Sequence, residues 1–156
     1  MCLLARSKLT LVSLTQKLEE DIRNEMDDPE NLKVIKLNST LNNSENKIQA
    51  KFCEALGLDR SITAIEMVEA VHNYFESNPE LSILFIFEDI DYYVETTKQM
   101  MLYKILDLLQ HAQIKFCFLA TSMKHDVADS FEKRIKSRFS HKQVLFYDLS
   151  LELFKQ

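Results

Sequence analysis

Glycine is almost missing from this sequence: among 156 residues the only one is Gly57. A phosphate-cradling loop needs several glycines so that its backbone can approach the phosphates, and a dinucleotide-binding turn needs three. Neither can be built from these residues. Proline is scarce too, at Pro29 and Pro79, and tryptophan is absent. The three cysteines, Cys2, Cys53 and Cys117, are odd in number and widely spaced, with no CxxC or metal-binding spacing. Cys53 and Cys117 sit in apolar stretches, so reduced, packed thiols of a cytosolic or nuclear protein are expected. No apolar run approaches the length of about 18 residues that a membrane helix needs. Met-Cys-Leu-Leu-Ala is interrupted by Arg6 and Lys8, too soon for a secretory signal core. A basic excess is also lacking: 19 Lys and Arg face 24 Asp and Glu, for a net charge of −5. This excludes a globally electrostatic nucleic-acid binder and leaves only local contacts with DNA.

What remains has an ordinary globular balance, 46% hydrophobic and 28% charged, in a length that suits one domain. The charge is uneven. Glu19 to Glu30 holds seven acids and one Arg, while Lys133 to Lys142 holds five Lys or Arg and no acid. Leu11, Leu14, Leu18, Ile22 and Met26 recur on one stripe and predict a helix from about Lys8 to Met26. LKVIKL, Leu32 to Leu37, reads as a strand, and Asn38 to Asn46 as a polar loop. Ile48, Phe52 and Leu56 mark a second helix that Gly57 stops. Thr63 and Glu66 stand at capping-box spacing before a third helix. Its buried stripe is expected at Ile65, Val68, Val71, His72 and Phe75.

ILFIF, Ile83 to Phe87, is apolar at every position, as a parallel strand buried on both faces would be. It runs into Glu88-Asp89-Ile90-Asp91. Thr96 or Thr97 is expected to start a helix with Leu102, Ile105, Leu106 and Leu109 inward. FCFLA, Phe116 to Ala120, is a further buried strand ending at Thr121-Ser122. A helix is expected over Asp126 to Ile135, a strand over Val144 to Tyr147, and a cap at Ser150. Strands alternating with helices predict right-handed crossovers and a parallel sheet.

Ligands of such sheets gather beyond the carboxyl ends of the strands. A buried strand followed by two acids is the Walker B pattern, in which one carboxylate holds Mg²⁺ and the next orients a water. Glu88 and Asp89 fit it, or they simply begin a solvated loop. Thr121 and Ser122 can contact a phosphate or a lytic water, or satisfy local backbone groups. Arg134 and Arg138 are four apart, share a face if their helix continues, and carry forks suited to phosphate oxygens. They also suit a solvated basic helix end. Tyr92-Tyr93 can stack on bases or half-bury beside a strand end. His72, His111, His125 and His141 pair with nothing at metal spacing.

From Ile83 to Asp148 the chain resembles the AAA+ domain of the origin recognition complex subunit 4 family. The resemblance lies in FIFEDID, MLYKILDLLQHAQ, FLATSMKHDV and, above all, EKRIKSRFSHKQV, which is similar to the family's arginine-finger segment. LKVIKLN and NKIQAKFCEALGL resemble the strand and helix before it, so the likeness covers about residues 11–150. It implies an α/β fold: a three-layer parallel sheet with helices on both faces, here a single partial core domain over residues 1–156. By position, Glu88 and Asp89 are Walker B-like, Thr121 is sensor-1-like, and Arg134 and Arg138 reach toward ATP on a neighbouring subunit, Arg138 as the arginine finger.

Two departures shape the expectation. The acids stand as Glu-Asp where the family usually has Asp-Glu. The glycine-rich Walker A loop is missing, and Arg6-Ser7-Lys8 stands where Gly-Lys-Thr would be, leaving Lys8 as its remnant. The first sheet strand, the helical lid and the winged-helix domain are expected to be absent as well. The resemblance therefore implies a nuclear, non-catalytic subunit of the origin recognition complex, acting in initiation of DNA replication. It would have no catalytic residue and no metal site. It would need no cofactor of its own and meet ATP and Mg²⁺ only through a neighbour. Its partners would be the other subunits, especially the largest, and origin DNA within the complex, with no membrane. Two alternatives stay open: a degenerate nucleotide-binding AAA+ protein using Lys8 and the acids, and a plain protein-interaction domain without nucleotide.

Overall fold

Five short parallel strands form one sheet, in the spatial order β2-β3-β4-β1-β5. They are β1 (Cys2–Ala5), β2 (Leu32–Asn38), β3 (Ser82–Glu88), β4 (Lys115–Ser122) and β5 (Gln143–Phe146). The computed structural model describes residues 1–5, 7–96, 98–138 and 142–146. Among the described residues, six α-helices connect the strands: α1 (Lys8–Glu25), α2 (Glu45–Leu56), α3 (Ala64–Glu76), α4 (Ile90–Thr96), α5 (Met100–His111) and α6 (Lys133–Lys136).

β1 corrects the expectation that the first sheet strand is missing. Cys2-Leu3-Leu4-Ala5 lies between β4 and β5, with Cys2 opposite both Ala120 and Gln143. All four residues are buried. The run is too short to show a period before Arg6-Ser7-Lys8 breaks it, which is why the pattern hid it.

The pleat sends alternate residues to two cores. On one face, Phe85 meets Phe52 and Phe118 at ring-centroid distances of 6.0 and 5.2 Å, beneath α2, α3, α4 and α5. On the other, Leu3, Ala5, Leu84, Ile86 and Leu119 face α1, which contributes Leu11 with Leu14, Leu18, Ile22 and Met26 packed around it. The stripe read for α1 is the one it turns toward the sheet, with Leu11 fully buried and the others partly so.

Local signals set the helix ends. Ser7 accepts a hydrogen bond from Thr10 N at the start of α1, and Ser44 accepts one from Lys47 N at the start of α2. Gly57 closes α2 at φ 77°, a left-handed conformation that glycine adopts without steric cost. Thr63 and Glu66 form the expected capping box of α3. The stripe expected on α3 is displaced, however. Met67, Val71 and Phe75 are buried, whereas Ile65 is 83% exposed and Val68 and His72 also face out. Two apolar stripes overlap on this helix, and packing against α5 selects one of them.

Other boundaries move. Thr96 ends α4 instead of starting the next helix, while Thr97 lies outside the described residues. Leu102, Ile105, Leu106 and Leu109 of α5 are buried as expected. The helix expected over Asp126 to Ile135 is split into a 3-10 turn, Val127–Ser130, and the single turn of α6. Tyr93 is in the core and Tyr92 is partly exposed. Phe139, Ser140, His141, Tyr147 and Ser150 lie outside the described residues.

Cys117 is exposed, contrary to its apolar surroundings in sequence, while Cys2 and Cys53 are buried. Burial pushes the Cys2 thiol up to about 11 and raises that of Cys53. Because the thiolate is the reactive form, a disulfide reagent near pH 8 should quickly consume about one thiol per chain, mapped to Cys117. Cys2 and Cys53 should react only in denaturant. Rapid labelling of Cys2 in the native chain would contradict the buried central strand.

Candidate functional site

Four of the residues singled out by sequence meet at the carboxyl end of the sheet. Lys8, the first residue of α1, enters from the β1–α1 link, Glu88 and Asp89 from the end of β3, and Thr121 from β4. Lys8 Nζ lies 2.5 Å from Asp89 Oδ2. This bond raises the Lys8 ammonium above its ordinary pKa. Thr121 is buried, and its Oγ1 accepts the Asp89 N–H at 3.3 Å. Asp89 itself takes φ 52°, a sharp turn that lets the acids bend back over the strand end.

The sequence reading passed over two residues of this cluster. Asn38 Nδ2 donates to Glu88 Oε2 at 3.2 Å and to Asp89 Oδ2 at 3.1 Å. Ser39 Oγ donates to the Asp89 carbonyl. In the sequence both open the polar stretch Asn38 to Asn46. The available signal was their place directly after the strand LKVIKL, matching the place of the acids after ILFIF. Ser122 Oγ donates to Asp91 Oδ1 at 2.8 Å, so the third acid is also engaged.

This arrangement does not fit a nucleoside triphosphate. The β1–α1 link has two residues, too few for the nest of backbone N–H groups that surrounds phosphates. The hollow lined by Lys8, Leu11, Val12, Thr15, Glu88, Asp89 and Thr121 holds about 10 Å³, at most one water. Lys8 and Asn38 take up the acids instead.

Arg134 and Arg138 form a separate cluster on α5. Their guanidinium carbons lie 5.2 and 4.3 Å from the centroid of the Tyr103 ring. α6 ends at Lys136, yet a further turn, with Arg138 N donating to Ile135 O at 2.9 Å, keeps both arginines on that ring. Arg138 Nη2 lies 2.6 Å from Asp107 Oδ1 and donates to Tyr103 Oη at 3.1 Å. The basic segment contains no acid, but the fold supplies one from α5. Arg134 Nη2 donates to Lys98 O at 3.2 Å and Nη1 to Met100 Sδ at 3.4 Å. Its Nε lies 2.6 Å from Glu132 Oε2 without aiming its N–H there, so that buried donor has no aligned acceptor.

Asp107→Asn should remove the charge that holds Arg138 while keeping the side chain's shape. Modification of Arg138 by an arginine-selective dicarbonyl, followed by peptide mass spectrometry, should then be several-fold faster than in the parent chain. Equal rates would mean that Tyr103 alone holds the guanidinium.

No protein-family model matches the chain. It is 28% identical over 134 residues to the origin of replication complex subunit 4 of Oryza sativa subsp. japonica, covering 81% of this chain and 28% of that protein. It is 32% identical over 69 residues to the origin recognition complex subunit 4 of Saccharomyces cerevisiae, covering 44% of this chain and 13% of that protein. Among solved structures, the Aeropyrum pernix ORC2 protein in its ADPNP–ADP complexes aligns with a TM-score of 0.69 at 14% identity, over 94% of this chain and 41% of that one. Drosophila ORC bound to AT-rich DNA and Cdc6 aligns with a TM-score of 0.59 at 15% identity, over 94% of this chain and 47% of that one. The chain thus spans less than a third of these two curated relatives. Sequence and fold agree: this chain is similar to part of origin recognition complex subunit 4 and shares its fold with the ORC and Cdc6 structures.

Proposed function

We propose that this chain works in replication-origin recognition as a non-catalytic subunit, in the nucleus. It would bind neighbouring AAA+ subunits, the largest above all, and present Arg138 to the ATP that a neighbour holds. Origin DNA is met as part of that assembly. The observation that carries this reading is the closure of the chain's own strand-end site, with Lys8 on Asp89 behind a two-residue link. The names of the relatives support the role in origin recognition. The motif match at Ser137 to Ser140 supports the finger.

The proposed mechanism is electrostatic. A guanidinium brought across an interface neutralises charge that develops on the transferred phosphoryl group, which is worth about 10³ to 10⁵ in rate for fingers acting in trans. Arg138 would leave Asp107 to do this, exchanging one carboxylate oxygen for phosphate oxygens. Lysine should substitute poorly because it offers a point charge in place of a fork. That same Asp107 contact favours a second reading. Arg138, already neutralised within its own chain, would serve as a structural anchor of a protein-interaction domain.

Two measurements separate these readings. Calorimetry of the chain with Mg-ATP should show no heat above dilution. Sub-millimolar binding lost in Lys8→Ala would restore the degenerate nucleotide-binding alternative. Arg138→Ala, assembled with its partner subunits, should cut ATP hydrolysis by about 10³ or more without dissociating the complex. Hydrolysis within twofold of the parent in an intact assembly would leave the anchor reading in place.

A further inference from the structure

We infer that Gln99 is the positioning residue that seats the arginine segment on the rest of the fold. Gln99 is 3% exposed and takes the left-handed backbone conformation, at φ 52° and ψ 15°, just before α5. That conformation is uncommon for a residue with a side chain. Its side-chain amide makes three hydrogen bonds, all to backbone groups and none within α5. Nε2 donates to Val94 O at 3.1 Å and to Ser130 O at 3.0 Å. Oε1 accepts the Glu132 N–H at 3.0 Å. The partners fix which end of the amide is which, since two carbonyls face the nitrogen and one N–H faces the oxygen.

These bonds join three places in the chain. Val94 lies in α4, which follows the acids of β3. Ser130 ends the 3-10 turn, and Glu132 precedes α6. Neighbours of Gln99 complete the seat. Lys98 O and Met100 Sδ receive the two terminal nitrogens of Arg134. The backbone carbonyl of Gln99 accepts Tyr103 N at 3.1 Å, which begins the helix whose Tyr103 and Asp107 hold Arg138. Capping of α5 is left to Glu45 from α2, whose carboxylate accepts the Met101 N–H and the Tyr93 hydroxyl. The Gln99 side chain is thereby free for the arginine segment. α6 is a single turn, too short to hold itself. Its placement depends on contacts of this kind.

The functional weight of the assignment rests on the finger reading of Arg138, and the experiment keeps the two apart. Gln99→Gly removes the amide and also relieves the positive φ. Gln99→Glu keeps an acceptor for Glu132 N–H but loses both donors. In the full chain, amide exchange over residues 131–138 should be accelerated about tenfold in both variants, while peptides of β3 and β4 keep the parent rate. In the assembled complex, kcat for hydrolysis should fall with KM unchanged, since the neighbour's ATP pocket is intact. Gln99→Asn, tolerant of the same backbone conformation, should recover part of the loss.

Unchanged exchange over 131–138 in both variants would overturn the assignment, whatever Arg138→Ala does. So would unchanged kcat in the Gln99 variants when Arg138→Ala abolishes hydrolysis. If exchange accelerates but Arg138→Ala leaves hydrolysis intact, the finger reading fails and Gln99 stands as the seat of an anchor. Should Gln99→Gly not fold, Gln99→Glu decides by the same exchange measurement.

Discussion

Everything in this fold hangs on four residues. Cys2 to Ala5 fill the slot between β4 and β5, and among the described residues β5 has no other neighbour in the sheet. Leu3 and Ala5 look toward α1, while Cys2 and Leu4 look toward the larger core. One short strand therefore ties both layers and the edge together. A central parallel strand must be apolar on both faces, and Cys-Leu-Leu-Ala satisfies that with no residue to spare.

That strand also sets the length of the connection into the strand-end site. The chain leaves β1 at Ala5 and enters α1 at Lys8, a connection two residues long. The Lys8–Asp89 pair is secondary. Lys8 is half-exposed, and an ion pair of that kind is worth at most about 1 kcal/mol. Asn38, at the end of β2, also donates to both carboxylates, and Thr121, in β4, accepts the backbone N–H of Asp89. At the strand ends the polar groups of the site satisfy one another.

Much of this was legible before the structure. α1, α2 and α5 bury the residues their periodicity marks, Gly57 stops α2, and Thr63 and Glu66 cap α3. Glu88, Asp89 and Thr121 stand at strand ends where the alternation put them, and Lys8 joins them from just after β1, the strand that was expected to be absent. The failures have physical causes. β1 is too short for pattern to reveal. α3 carries two stripes, and only tertiary packing chooses between them. Asp107 and Gln99 act on residues more than thirty positions away, a distance no local rule spans. Cys117 sits in the part of β4 that precedes its ladder with β1, so an apolar neighbourhood in sequence does not bury it.

Among the described residues α1 is the one helix packed on its face of the sheet, whereas the opposite face is shared by α2, α3, α4 and α5. The two layers therefore have different cooperativity. Lifting one helix uncovers Leu3, Leu84, Ile86 and Leu119 together, while the larger core can stay closed. An opening of α1 would therefore expose that layer as a unit, and a protease working on the native state would find a foothold there.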